Sequence, residues 1–464
     1  MYKIFVFTIF SLLCVYLLTA DDDHQYPSTY VFPAYKHTYG IRKAGPTELF
    51  LFMGLRVKFR NPQGLACVRL EAWEDPNTPH DDDEVTVYGV NSGQNNIIYN
   101  SSMWGLGVYW GERDEEKLNA PNGICANRLG DVYIADSGNH RIVRLFNPGN
   151  ELNFVSAIGS EGGAPGQFRY PKQVAMDPVG NIYVSDTGNS RIQVFDKDNK
   201  LIKIFAQNGE ILSPDGIAVA HSLERHRYRA DNFIIIIDSL DQRINKFNPD
   251  GKLLGRLNTA SIGYTNARLE YVVLDYYNQI HITDAQNHCI HKFDKELNYI
   301  CSFGSKGDDD YQFEEPRGIT MYRRFGQIFI AEKSGAQYYW IGTDIKDLAF
   351  FDRENSVMFN FFLTEPSYVF ADIYDSDGRF VKRIADKQFL YPAGKHKIFW
   401  NLRLSRKVPE QHVDEEVMLS SRASPGSFVP FGKYMLHIMA EATYSSRTYF
   451  MKHKKLPFSA GRRP

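Results

Sequence analysis

The chain has 464 residues, too many for one ordinary hydrophobic core, so at least two domains are predicted. Lys and Arg number 53 against 55 Asp and Glu, and the formal net charge of −2 excludes a nucleic-acid partner held by a basic face. With 43% hydrophobic and 23% charged residues the composition excludes a disordered chain, and 28 Tyr and 32 Phe favour strands.

Residues 1–20 read as a signal peptide. Lys3 gives a short positive start, residues 4–18 are nearly all apolar, and Ala20 is a small residue before Asp21. The apolar run is short for a membrane span. Leu18 is a poor residue at its place before the cut, so the segment is either cleaved or kept as an anchor. A membrane partner follows only in the second case. An exported protein is expected: periplasmic, cell-surface or extracellular. Residues 21–47 read as an N-terminal extension.

Internal repeats organise the next three hundred residues. Residues 120–146 read APNGICANRLGDVYIADSGNHRIVRLF, and residues 170–195 read YPKQVAMDPVGNIYVSDTGNSRIQVF. Looser copies extend both ways and put the acid of the motif, or its substitute, at Asn91, Asp136, Asp186, Asp238, Asp284 and Glu332. Each unit holds short strands broken by turn signals such as SGN and TGN. Four-stranded units repeating at this length predict an all-β propeller of six blades over residues 48–345. Residues 49–59, LFLFMGLRVKF, have the shape of an outer strand without an earlier blade. They are expected to complete the last blade and clasp the ring.

These repeats resemble the NHL family, two copies closely and the rest more loosely. In the close copies Asp136 and Arg141, Asp186 and Arg191, and Asp238 and Arg243 should flank a tight turn and pair across it. Both charges vanish together in the first copy, as Asn91 and Asn96, which favours structural staples over catalysis.

Beyond residue 348 the repeat stops. Six or seven short strands over residues 350–453 predict a β-sandwich, with Trp400 in its core. The motifs IYDSDGR, PAGKHKIFW and FGKY resemble the immunoglobulin-like domain of flagellar hook-capping proteins, with a long polar insertion at 401–430. Residues 454–464 read as a flexible basic tail.

Four cysteines follow the signal segment, too few for a disulfide scaffold. Cys289 and Cys301 flank a short turn and could face one another as a cross-strand disulfide. Cys67 and Cys125 read as core. His221 and His226 fall in an insertion, and His281, His288 and His291 along one hairpin, where surface or packing roles are expected. The acidic residues 81–84 and 308–310 lack an EF-hand pattern and read as solvated loops.

In a propeller the innermost strands line a channel, and ligands gather at the mouth where the preceding loops converge. The residue after each repeat's leading Pro falls there, with the fifth placed by counting back from Asp284: Gln63, Asn122, Lys172, Asp215, Glu270 and Arg317. All are polar, which makes this ring the best binding-site candidate. The bland alternative is a self-satisfied ring of ion pairs, Lys172 with Asp215 and Glu270 with Arg317. Six-bladed lactonases hold an axial calcium with oxygen ligands, and Gln63, Asn122, Asp215 and Glu270 could supply them. Lys172 and Arg317 would repel the ion, so no cofactor is expected. No nucleophile elbow, phosphate loop or triad signature is present. The sequence thus points first to a non-enzymatic exported scaffold binding a protein, peptide or glycan. A metal-dependent propeller hydrolase or lyase is the second reading. A structural component or cargo of a bacterial envelope or secretion system is the third.

Overall fold

The computed structural model describes residues 28–32, 43–74, 85–102, 105–207, 209–353, 355–404 and 426–461. The signal segment and the acidic residues 81–84 lie outside them, as does most of the insertion. Among the described residues no helix is long and apolar enough to cross a membrane.

Among the described residues six antiparallel sheets follow one another along the chain, five of them built in sequence order from the inside outwards. Their innermost strands are Pro62–Val68, Ile124–Ala126, Gln173–Met176, Pro214–Ala220, Leu269–Leu274 and Ile319–Tyr322. Each touches the next, and the sixth returns to the first, so the sheets form a closed ring. This is a β-propeller. The second strands end at Asn91, Asp136, Asp186, Asp238, Asp284 and Glu332, the six positions the repeat motif marks. These strands are apolar along their length where sheets cover both faces: every residue of Phe233–Asp238 is buried.

The ring is closed by different residues from those expected. Residues 49–59 do not form an outer strand; Pro46–Met53 is a helix. The third strand of the sixth sheet, Gly335–Ile341, is paired instead by Tyr30–Val31 and Lys43–Ala44. Pro46 at the start and Glu48 in the first turn favour a helix there, and the Glu48 carboxylate accepts the Gly45 N–H at 2.9 Å. Tyr30 is fully buried against Phe303 and Tyr339.

After the ring, two sheets face each other. One contains Ile345–Arg353, Ser356–Leu363 and Gly394–Trp400. The other contains Phe380–Tyr391, Ser367–Asp375, Gly432–Ala442 and Lys452–Ala460. Trp400 is fully buried between them, 5.3 Å from the Tyr434 ring, and its indole N–H donates to the Arg403 carbonyl. The expected basic tail is corrected here: Lys452–Ala460 pairs with Gly432–Ala442 over its whole length, and Phe458 and Ala460 are core residues. Lys452, Lys454 and Lys455 share this strand with Leu456, Phe458 and Ala460, so basic composition hid a strand. The insertion is anchored at both ends, where Leu402, Leu404 and Val429 are buried.

The sandwich is seated on the ring. Ala442 and Tyr444 pack into the same apolar cluster as Tyr30, Tyr271 and Tyr339. Ser446 Oγ donates to the Ile341 carbonyl at 2.5 Å. Lys292 of the fifth sheet meets Glu365 of the sandwich, both with side chains at most 1% exposed.

Candidate functional site

The inner strands approach closely because glycine follows the ring residue in four of them. A Cβ on Gly64 would lie 2.8 Å from the Asn122 carbonyl oxygen, and one on Gly318 would lie 2.1 Å from that of Gln63. The two exceptions put Gln173 and Tyr271 into the channel. Tyr271 decides its shape. From the fifth inner strand its hydroxyl reaches across to Asn122 Oδ1 at 2.6 Å and Gln63 Oε1 at 3.1 Å. It is 4% exposed and stoppers the channel just beneath the mouth. Burial, with Glu270 and Asp215 nearby, holds its hydroxyl well above the usual phenol range, so it stays a donor.

The six predicted mouth residues are thereby divided. Gln63 and Asn122 are joined by Tyr271. Lys172 and Asp215 form an ion pair at 2.9 Å, as the self-satisfied alternative expects. Glu270 is not in an ion pair with Arg317; it meets Arg268 at 3.0 Å. Arg268 also reaches Glu315, which receives Arg317 at 3.1 Å and Lys333 as well. Arg317 also bonds Asn61, whose side-chain oxygen accepts from Gln63. One half of the mouth is thus a chain of alternating charges. Burial raises the Glu270 and Asp215 carboxyls, against the pull of Arg268 on the first and Lys172 on the second. Burial acts the same way on Glu315, but hydrogen bonds from Lys333, Arg268 and Arg317 outweigh it and bring the group to about 2. Arg268, Glu315 and Tyr271 are functional candidates that the sequence reading missed. The first two stand two residues before the ring position. Tyr271 occupies the slot where other copies have glycine, and that departure was the available signal.

The turn pairs form in two copies of three. Arg141 meets Asp136 and Arg191 meets Asp186, each at 2.7 Å. The third is a correction: Arg243 lies opposite Asp238 but turns to Asp241 at 2.7 Å, and Asp238 accepts the N–H groups of Leu212 and Ser213. That second task is shared. Asn91, Asp136, Asp186, Asp284 and Glu332 each accept the backbone N–H of the loop entering their own sheet, from Arg60, Asn119, Arg169, Arg268 and Glu314. In the first copy Asn91 and Asn96 keep contact through a 3.0 Å hydrogen bond.

The expected facing of Cys289 and Cys301 does not occur. Both are free and buried, and Cys301 lies opposite Lys292, three residues on, where a bulge shifts the register. An odd offset puts the two on opposite faces of the sheet. His281 and His291 are fully buried, the first between Tyr30 and Asp275.

The NHL repeat model matches residues 118–145 and 168–195. Together with the ring of sheets this defines the class: the chain carries NHL repeats and folds as a β-propeller. Among solved structures it is similar to virginiamycin B lyase from Staphylococcus aureus, at 14% identity and TM-score 0.40, over 57% of this chain and 83% of that one. A putative gluconolactonase matches at 14% and 0.44, over 64% and 97%. Regucalcin, a calcium-binding protein from Agrobacterium tumefaciens, matches at 14% and 0.41, over 61% and 90%. No curated protein matches the chain.

Proposed function

We propose that the chain is an exported, non-enzymatic scaffold: a six-bladed NHL propeller that binds a protein, peptide or glycan over its polar mouth. An immunoglobulin-like sandwich spaces or tethers it. The observation that carries this reading is the Tyr271 stopper. An axial calcium would need the oxygens of Gln63 and Asn122, and the Tyr271 hydroxyl donates to the second at 2.6 Å and lies 3.1 Å from the first. The remaining carboxylates, Asp215 and Glu270, are each held by a cation. What the mouth offers a partner is a half-exposed set of mixed charges, Lys172, Arg268 and Lys333 among them. Such a surface suits a polar macromolecular partner at its rim better than a small substrate drawn into a channel.

A second reading, a hydrolase or lyase at the same mouth, draws on one observation. Asp215 and Glu270 are buried carboxyls with raised pKa values, the pattern of acid–base groups. Peptide and glycan arrays, run beside lactone-hydrolysis assays with and without Ca²⁺, separate the two. Binding lost in a Lys172→Ala/Arg268→Ala variant, without Ca²⁺-dependent turnover, supports the scaffold. Turnover that needs Ca²⁺ and disappears in Asp215→Asn would replace it with the enzyme.

A further inference from the structure

The fifth sheet departs from the second and third at the tight turn. In the second and third sheets the buried acid at the end of the second strand receives a guanidinium from the residue opposite, Arg141 or Arg191. In the fifth sheet the residue opposite Asp284 is Cys289, and a thiol brings no positive charge. Two residues on, on the same face, stands His291, in the slot where the third sheet has Gln193. Gln193 donates to Asp186 there at 3.0 Å. Asp284, Cys289 and His291 are all buried, and one donor atom from each lies within 4.8 Å of the others. His291 Nε2 is 3.0 Å from Asp284 Oδ2 and 4.0 Å from the Cys289 sulfur.

The surroundings hold these groups in place. Asp284 Oδ1 accepts the backbone N–H groups of Arg268, Gln286 and Asn287, and Oδ2 accepts the Asn287 side-chain amide at 2.6 Å, which fixes the carboxylate with Oδ2 turned to the cluster. Ser302 Oγ lies 2.7 Å from His291 Nδ1. Tyr264 stands edge-on to the imidazole at 4.4 Å. This is the supporting shell a bound ion needs.

We propose that Asp284, Cys289 and His291 bind a structural Zn²⁺, which takes the place of the guanidinium that closes the same turn in the second and third repeats. The donor set selects the ion: a sulfur and an imidazole nitrogen suit Zn²⁺ and exclude Ca²⁺ and Mg²⁺. The charges close as well. A carboxylate and a thiolate balance Zn²⁺, so the buried turn is neutral, as the Asp–Arg turns are. Binding releases the thiol proton to solvent. The imidazole proton moves from Nε2, where Asp284 accepts it in the metal-free form, to Nδ1, where Ser302 Oγ accepts it.

The test is the zinc content of the full chain after equilibration with Zn²⁺ and gel filtration, with Co²⁺ as a spectroscopic substitute. A single zinc per chain is expected, with a thiolate-to-cobalt charge-transfer band in the near ultraviolet. Cys289→Ser should abolish the band. His291→Gln should lose the zinc yet stay folded, because glutamine bonds the acid in the third repeat. Cys301→Ser, on the other face of the sheet, should keep both. Wild-type zinc no higher than that of His291→Gln, or a cobalt band surviving Cys289→Ser, would overturn the proposal. Neither outcome bears on the mouth, which contains none of these residues.

Discussion

The same Asp–Arg motif has different energetic weight in different repeats, and burial decides which. Arg191 is 8% exposed, and besides Asp186 it reaches the carbonyls of Gly163, Ala164 and Gln167. Arg191→Ala should cost about 3–5 kcal/mol, because it leaves a fully buried carboxylate unpaired. Arg243 is 36% exposed and pairs with Asp241, so Arg243→Ala should cost under about 1 kcal/mol. Urea denaturation of the two variants checks the contrast; equal costs would refute it. Glu315 gives a pH prediction. Its folded-state pKa is depressed, so its contribution is present above the ordinary glutamate value of about 4.3 and fades as pH falls towards about 2. Glu315→Gln should flatten the stability profile over that acid range and leave its shape near neutrality unchanged. Residues of this kind were legible where their partner is local: Asp186 and Arg191 are five positions apart. Glu270 was assigned to Arg317 because both fall on the ring, whereas its partner Arg268 sits two residues away on the preceding loop. The sequence reading took Cys289 and His291 one at a time, although the hairpin that aligns them with Asp284 was already predicted.

At the scale of elements, the six hairpins were legible because strand, turn and strand are contiguous, and the motif repeats. Closure was legible as a need but not as an address. Any strand-like segment upstream could have served, and the apolar run at 49–59 read as one. Its pairing is fixed only in three dimensions, by the fit of Tyr30 beneath Tyr339 and the 2.5 Å contact of its hydroxyl with His281. Tyr30→Ala should therefore cost about 3–5 kcal/mol, as aromatic truncations in packed cores do. It should also raise hydrogen exchange along Gly335–Ile341, whose outer edge loses its partner. Tyr30→Phe keeps the packing and should lose far less. Exchange that stays slow in the alanine variant would show that Lys43–Ala44 holds the edge alone.

Taken as a whole molecule, the ring and the sandwich are joined by a buried ion pair rather than by a flexible linker. Burial raises the Glu365 carboxyl, with Lys292 pulling against it and Gln279 bonding its other oxygen. Glu365→Ala would leave Lys292 charged and buried, and should cost about 3–5 kcal/mol. Small-angle scattering should then show the sandwich swinging away from the ring; an unchanged radius of gyration would mean that the tyrosine contacts suffice. The clasp also sets an order of events. Ser28 bonds the Thr343 carbonyl, 315 positions along the chain. Residues 28–31 therefore leave the ribosome long before their partners in the sixth sheet have been made. So long a separation raises the contact order, and folding slows with it. Closure of the ring is in this sense a late event, and a half-made chain has an unsealed seam on either side until the sixth sheet emerges.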